Sequence, residues 1–579
     1  MTAAAVMPPI PITRYSGVMD WLTTVDHKKI GLMYFWFTVT MGIVGGFFAG
    51  AIRVQLATPG AVIESIQAAH LAGVELPFNL FSENRALFNQ MVTMHASVMI
   101  FFTIIPGFIA FANYVVPLMV GARDMAFPKM NAFGFWLLIP AAMLMLSSFF
   151  VQGGAASSGW TAYPPLSLEG AGSNPGQDMW IMGVHLAGVS SILAAINFIV
   201  TIASLKAPEM KWRDLPLFVW ATFFTSIIQL TATPVLAAAV TMILLDRNFG
   251  TTFTIASSGG DPVLYQHIFW FYSHPAVYIM ILPGFGAISH IFAAFSCKRV
   301  FGYLSMVLAV GAITLLGFTV WAHHMFSVGM SPELAYYFQV ASLLIGVPTG
   351  IKVFNWLATM WGGTIRFTTA MMFACGFICL FVLGGFGGLI LALVAVDFTL
   401  TDTYFVVGHF HMVLVGGSVM LLFAMTYYWW PKMTGHMLSE KLGKWVFWLM
   451  FIGVFVTFFA MHLSGANGMV RRVPVYFADF KFSNYLTTFG YLLTIVSSLL
   501  FYADLFLSYR RPKITVDDPW KINDVQQSFE WATSCPPPVY NFVTVPPIPV
   551  LDQMSDGHAV SDKTLGDGDK PRETDKPTH

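Results

Sequence analysis

The chain has 579 residues, of which 56% are hydrophobic and only 10% charged, with no net charge. A soluble domain carries about a quarter charged residues, so the composition points to lipid and gives no electrostatic case for nucleic acid. Four cysteines, Cys297, Cys375, Cys379 and Cys535, are too few for a disulfide framework. Cys375 and Cys379, spaced C-x3-C in an apolar run without a nearby histidine, read as helix packing.

A spanning helix needs about 20 mostly apolar residues. Twelve runs qualify, at roughly 30–52, 87–118, 132–152, 179–206, 216–246, 264–294, 301–326, 334–361, 368–395, 402–430, 445–465 and 484–508. The expected fold class is therefore an all-α integral membrane bundle of twelve transmembrane helices. The second run is too long for a straight crossing and carries Pro106, a candidate bend. Residues 1–29 contain Arg14, Lys28 and Lys29 ahead of the first run and read as a retained N-terminal segment, not a cleaved signal. With the N-terminus cytoplasmic, the inner segments collect Arg14, Lys28, Lys29, Arg123, Lys129 and further basic residues. The outer ones then hold only Arg53, Arg85, Arg247, Arg471, Arg472 and Lys481. That bias favours both termini inside. Residues 509–579 form a C-terminal extension: SCPPPVYNFVTVPPIPV reads as an extended arm lying on the bundle or a partner, and the last twenty residues as disordered. The absence of an internal repeat weakens a transporter built from inverted halves.

Polar groups inside lipid are functional candidates. His409 and His411 lie two residues apart in VVGHFHMV, about 200° around a helix, so they should serve two different centres. His323 and His324 are adjacent and diverge by about 100°, so sharing one metal requires a distorted or terminating helix. His274 precedes Tyr278 by four residues, which puts imidazole and phenol on one face. His95 stands alone in the second run. Singly, a membrane histidine is usually a packing residue, and His185, His267, His290 and His462 are read so. Six in four apolar helices point instead to haem iron and copper, for which imidazole is the usual nitrogen ligand.

The ordered motifs H-P-x-V-Y, W-x-H-H-M-F and G-H-F-H resemble subunit I of the haem–copper oxygen reductases, over about residues 20–545. The similarity includes GGDPVLYQHIFWF, VPTGIKVFNWLATMWGG, VPLMVGARDMAFPKMN and GWTAYPPL. The resemblance implies a bundle enclosing two haems, haem a and haem a3, and one copper, copper B. It assigns His95 and His411 to the low-spin haem iron and His409 to the high-spin iron. His274, His323 and His324 would hold copper B, with Tyr278 bonded covalently to His274. Arg471 and Arg472 match the pair near the haem propionates, Trp160 and Asp397 match neighbouring positions, and Arg53 matches the arginine that touches a substituent of the low-spin haem.

The same resemblance implies two proton routes. Lys352, the only Lys or Arg placed inside a span, costs about 2.5–3.5 kcal/mol there. With Thr349, Ser289 and Tyr278 it resembles a Lys-type path. Asp124, Asn113 and Asn131 resemble the mouth of an Asp-type path. That path usually ends at a glutamate two residues after the first copper histidine, where this chain has Ala276. Tyr272 lies one turn before Ala276, beside Ser273, so the chain resembles the A-type subgroup with a Tyr-Ser pair, and the Tyr272 hydroxyl is expected to relay protons. Thr401 replaces a histidine of the family's magnesium or manganese site, but Asp402 remains, and a hard cation prefers oxygen.

The expected reaction is reduction of O2 to water with electrons from cytochrome c, coupled to proton pumping. The expected partners are a subunit II carrying binuclear copper or haem c, a subunit III and membrane lipid, in a bacterial inner membrane. Quinol-oxidising relatives carry an Arg and an Asp one turn apart in the first helix, where this chain has apolar Val44-Gly45-Gly46-Phe47-Phe48. Tyr278 and Lys352 argue against a nitric oxide reductase relative. A passive channel would require all six histidines to be packing residues.

Overall fold

The structure is a computed structural model and describes residues 16–57, 84–168, 174–522, 528–543 and 545. The extreme N-terminal segment and the tail expected to be disordered lie outside these residues. Twelve helices are long and apolar enough to cross a membrane. In chain order they are α1 His27–Ala57, α2 Leu87–Met119, α3 Pro128–Phe150, α4 Pro175–Ser204, α5 Leu217–Asn248, α6 Pro262–Ser296, α7 Tyr303–Val328, α8 Pro332–Met360, α9 Thr369–Leu391, α10 Tyr404–Thr434, α11 Glu440–Ala466 and α12 Ala478–Ser508.

Local chemistry sets many of the helix starts. Proline opens α3, α4, α6 and α8, where its missing N–H would have lacked an intrahelical partner anyway. Asn174, Ser331, Thr368, Thr403 and Ser439 cap α4, α8, α9, α10 and α11, each side chain accepting a first-turn backbone N–H. The helices also run past their apolar runs, so Lys28, Lys29, Arg53, Lys129, Arg247, Lys432, Lys441, Lys444 and Lys481 fall towards their ends, where the expectation placed only Lys352 inside a span.

Three helices are irregular where function was expected. α2 is not simply bent at Pro106: Val98–Ile104 is π-helical, and Pro106 opens the α-helical turn after it. α10 becomes π-helical over Leu414–Val419, three residues after His411. α7 ends its α-helical part at Leu316 and re-forms as a 3-10 turn over Trp321–Val328, with Met325 outside helical geometry. π-Bulges are rare and gather at functional sites.

α2 and α6 are almost wholly enclosed, whereas α1, α8 and α12 leave most of their surface outward. α10 packs tightly on α11: a Cβ on Gly465 would lie 1.7 Å from the backbone nitrogen of Phe405. Only a residue without a side chain fits there. Gly465→Val should displace the start of α10 and with it His409 and His411. The purified protein is expected to lose haem and to melt lower by an amount that reflects at least about 1–3 kcal/mol of overpacking. Haem content per polypeptide and a thermal melt measure both.

Candidate redox metal centre

The three histidines from α6 and α7 converge. His274 Nδ1 lies 3.2 Å from His324 Nε2, and His323 Nε2 lies 3.1 Å from the same atom. One nitrogen of each falls within 4.8 Å of the others, and this is the one such cluster of His, Cys, Asp or Glu among the described residues. α7 has left regular α-helical geometry where it carries the two adjacent histidines, and their imidazoles reach one point from this irregular segment. Two of the rings, His324 and His323, are held from behind. Trp270, one turn before His274, stacks on His324 with ring centroids 3.8 Å apart and planes 10° from parallel. The Trp270 indole N–H donates to the Tyr163 hydroxyl. Ser342 on α8 meets His323 Nδ1 at 2.7 Å and donates its own proton to the Phe338 carbonyl. Ser342 must then accept from His323, which leaves Nε2 of that ring as the ligating atom.

His274 is the most informative of the three. Its Nδ1 faces the other imidazoles, while its Nε2 is buried without a hydrogen-bond partner. The Tyr278 ring lies 4.9 Å away, centroid to centroid, at 66°. A nitrogen turned from the metal and bonded to nothing fits the position of the expected covalent link.

The other pair is equally well formed. The rings of His95 and His411 face each other at 6.1 Å between centroids and 10° between planes. Imidazole–metal bonds of about 2 Å on both sides, plus the two ring radii, fill that gap. His95 Nδ1 donates to Gly45 O at 2.9 Å and His411 Nδ1 to Val407 O at 3.0 Å, which leaves both Nε2 atoms free. His409, on the other side of α10, donates Nδ1–H to Gly384 O at 2.8 Å. It is close enough to His323 and His324 to act on them electrostatically. The glycines of α9 make room for it: a Cβ on Gly388 would come within 2.7 Å of the His409 ring. The four histidines read as structural bond protein groups instead, His185 to Ile181 and Thr241, His267 to Trp321, His290 to Phe218 and His462 to Phe458.

Around these centres, Arg53 is buried, donates to Asn484 Oδ1 at 2.9 Å and keeps its Nε without a protein acceptor, as a guanidinium awaiting a ring substituent would. Arg471 forks onto Asp402 Oδ1 at 2.9 and 2.6 Å. The exposed Asp402 carboxylate is thus already engaged, and no second carboxylate or histidine joins it in a cluster among the described residues. Arg472 lies over Gly159, next to Trp160, and burial together with Arg471 lowers it to about 10. Asp397 is buried, and burial with the nearby Asp402 raises it to about 7 against the pull of Arg471.

The chain belongs to the haem–copper oxidase subunit I family. The family described as "Cytochrome C and Quinol oxidase polypeptide I" matches residues 29–498. Cytochrome c oxidase subunit 1 of Bacillus sp. (strain PS3) is 44% identical over 93% of this chain and 85% of its own length. The subunit 1 of Synechocystis is 45% identical over 91% of both chains, and that of Cereibacter sphaeroides 43% over 91% and 95%. A solved heme-copper terminal oxidase dimer shares the fold at a TM-score of 0.68, with 19% identity, over 84% of this chain and 85% of that one. This subunit I is thus the catalytic, multi-pass membrane subunit of a terminal oxidase whose family implies haems and copper B, and the histidine trio is consistent with that copper.

The residues expected on proton paths occupy two regions of subunit I. Lys352 is buried in α8 with its ammonium 5.4 Å from the ring centroids of both Phe285 and Trp356. Ser289 accepts from Trp356 Nε1 at 2.9 Å, and Thr349 bonds only its own helix. In the other region, Asn113 Oδ1 and Asn131 Nδ2 are buried without protein partners, as is the Tyr34 hydroxyl, which sequence reasoning missed. Tyr272 is buried, and Ser273 Oγ beside it has no partner. Unpartnered buried polar atoms suit a water-filled route. Sequence reasoning also missed Trp270, findable from its i−4 spacing to His274, and Ser342, which comes from another helix and had no local signal.

Ser342→Ala frees His323 to take the wrong tautomer and should weaken metal retention by about 10–100-fold, read as copper lost per polypeptide during dialysis against a chelator. Asp124, in the α2–α3 loop, is raised by burial to about 7 against the pull of the Met125 N–H and Lys28. Burial favours its protonated form, so raising the pH through about 7 ionises it. A carboxyl C=O infrared band titrating there should vanish in Asp124→Asn.

Proposed function

We propose that this subunit I reduces O2 to water with electrons from cytochrome c and couples the reaction to proton translocation. In this reading His95 and His411 clamp haem a, His409 holds haem a3, and His274, His323 and His324 hold copper B. The carrying observation is the meeting of three imidazole nitrogens within 4.8 Å, with the outer nitrogen of His274 left bare beside Tyr278. When bound, the haem iron, copper and phenol supply the electrons that take O2 to water without releasing partly reduced oxygen.

The protein's own part is orientation and proton supply. The carbonyls of Gly45, Val407 and Gly384 fix the tautomers of the three haem-facing histidines. Arg471, Arg472, Trp160 and Asp397 surround the propionate end, and Arg53 meets the low-spin ring. Lys352, Thr349, Ser289 and Tyr278 form one proton route. Asp124, Asn113 and Asn131 open the other, which ends at Tyr272 and Ser273 because Ala276 carries no proton; this makes the enzyme a member of the Tyr-Ser subgroup. Asp402 is the remaining candidate for a magnesium or manganese ion.

The basic loops place both termini in the cytoplasm, with residues 30–508 as the catalytic membrane domain of a bacterial inner-membrane complex. A subunit II with binuclear copper or haem c delivers electrons, and a subunit III completes the complex. The apolar face around Val44 and Phe48, without an Arg–Asp pair, supports cytochrome c over quinol.

Reduced-minus-oxidised spectra with copper analysis, and oxygen uptake with each donor, test the reading. Two haem a bands, one copper in this subunit and uptake with cytochrome c are expected; iron in place of copper would sink it. Tyr272→Phe should slow turnover by roughly 100-fold or more and abolish pumping, while full turnover with full pumping removes Tyr272 from the route.

A further inference from the structure

The C-terminal arm covers the α2–α3 loop that carries Asp124. Phe529 of the arm packs against Gly121, where a Cβ would lie 3.2 Å from its ring. Val539 O accepts from Lys28 Nζ at 2.7 Å, and Asn541, fully buried, enters between α1 and the loop.

Asn541 is bonded at every polar atom of its side chain. Its Nδ2 donates to Ala122 O at 2.8 Å, two residues before Asp124. Its Oδ1 accepts from Lys28 Nζ at 3.0 Å. The second Nδ2 hydrogen points at His27 Nε2, 2.9 Å away. His27 Nδ1 lies 2.6 Å from the Asn113 carbonyl. A carbonyl only accepts, so Nδ1 carries the proton, and Nε2 of neutral His27 accepts from Asn541. One amide thus grips the backbone beside Asp124 and, through His27, the backbone of Asn113. The backbone of Asn541 is left-handed, at φ 70°, a conformation that asparagine tolerates better than most residues, and its carbonyl accepts from Thr533 Oγ1 at 2.6 Å.

We propose that Asn541 is a positioning residue for proton uptake: its amide holds the Asp124 loop and the Asn113 turn in register at the mouth of the Asp-type path. The proposal rests on the reading of Asp124 as that mouth. The tail is in this respect part of the proton machinery, acting from 419 residues beyond Ala122 in sequence.

The test uses the purified holoenzyme with Asn541→Gly, which keeps the left-handed backbone and removes only the amide. Turnover and protons pumped per electron should fall, turnover by roughly three- to tenfold, the worth of one or two buried hydrogen bonds. Anaerobic reduction of the metal centre, which the Lys352 route serves, should keep its rate. In an Asp124→Asn background the glycine variant should add no further loss. Unchanged pumping in Asn541→Gly overturns the proposal. So does equal slowing of turnover and of anaerobic reduction, or loss of haem, either of which would make Asn541 a general structural strap. If Asp124→Asn alone leaves pumping intact, the reading of the mouth fails; if Asp124→Asn impairs pumping and Asn541→Gly does not, only the role of Asn541 fails.

Discussion

Both metal centres depend on one helix presenting imidazoles on opposite faces. His409 and His411 leave α10 about 200° apart, one toward α6, α7 and α9, the other toward α2. Neither side chain can adjust far, because its Nδ1–H is committed to a carbonyl, Gly384 O or Val407 O. In a low-dielectric interior such a bond is costly to break, so rotation of α10 would disturb both centres together. The glycines of α9 and Gly465 of α11 let neighbouring helices approach close enough to hold α10 in place.

The irregular backbone serves the same purpose. α7 abandons α-helical geometry after Leu316, and His323 and His324 converge from the irregular segment that follows. π-Helical stretches lie within three residues of both His95 and His411. Each widens the helix and shifts the phase of the turns beyond it, so the ligating turn can face the partner histidine while the remainder packs on its own neighbours. These departures track the metal sites and not the prolines: Pro106 lies after the π-stretch, not at its start.

Polar groups in the bundle divide by what satisfies them. The structural histidines and capping residues are bonded within the protein. Asn113, Asn131, Ser273 and Arg53 each retain a buried atom with no protein partner. Water or a bound group must supply those bonds, since an unsatisfied polar atom costs about 1–3 kcal/mol. Lys352, whose ammonium lies against the faces of Phe285 and Trp356, shows a charge tolerated through aromatic contact.

The sequence by itself determined the twelve spans, because twenty apolar residues can be stable in lipid only as a helix whose backbone bonds are internal. It also determined that His409 and His411 leave opposite faces of one helix and that His274 and Tyr278 share a face, since both depend on helical spacing alone. The helix ends were less legible, because the helices continue beyond their apolar cores, as Arg53 and Lys432 near the ends of α1 and α10 show. Only the tertiary structure decided which nitrogen of each imidazole faces a metal, because the fixing groups, Gly45, Gly384 and Ser342, come from other helices. It alone brought Asn541 to Asn113 and the Asp124 loop, since nothing local in a proline-rich tail records the distant backbone whose hydrogen bonds it completes.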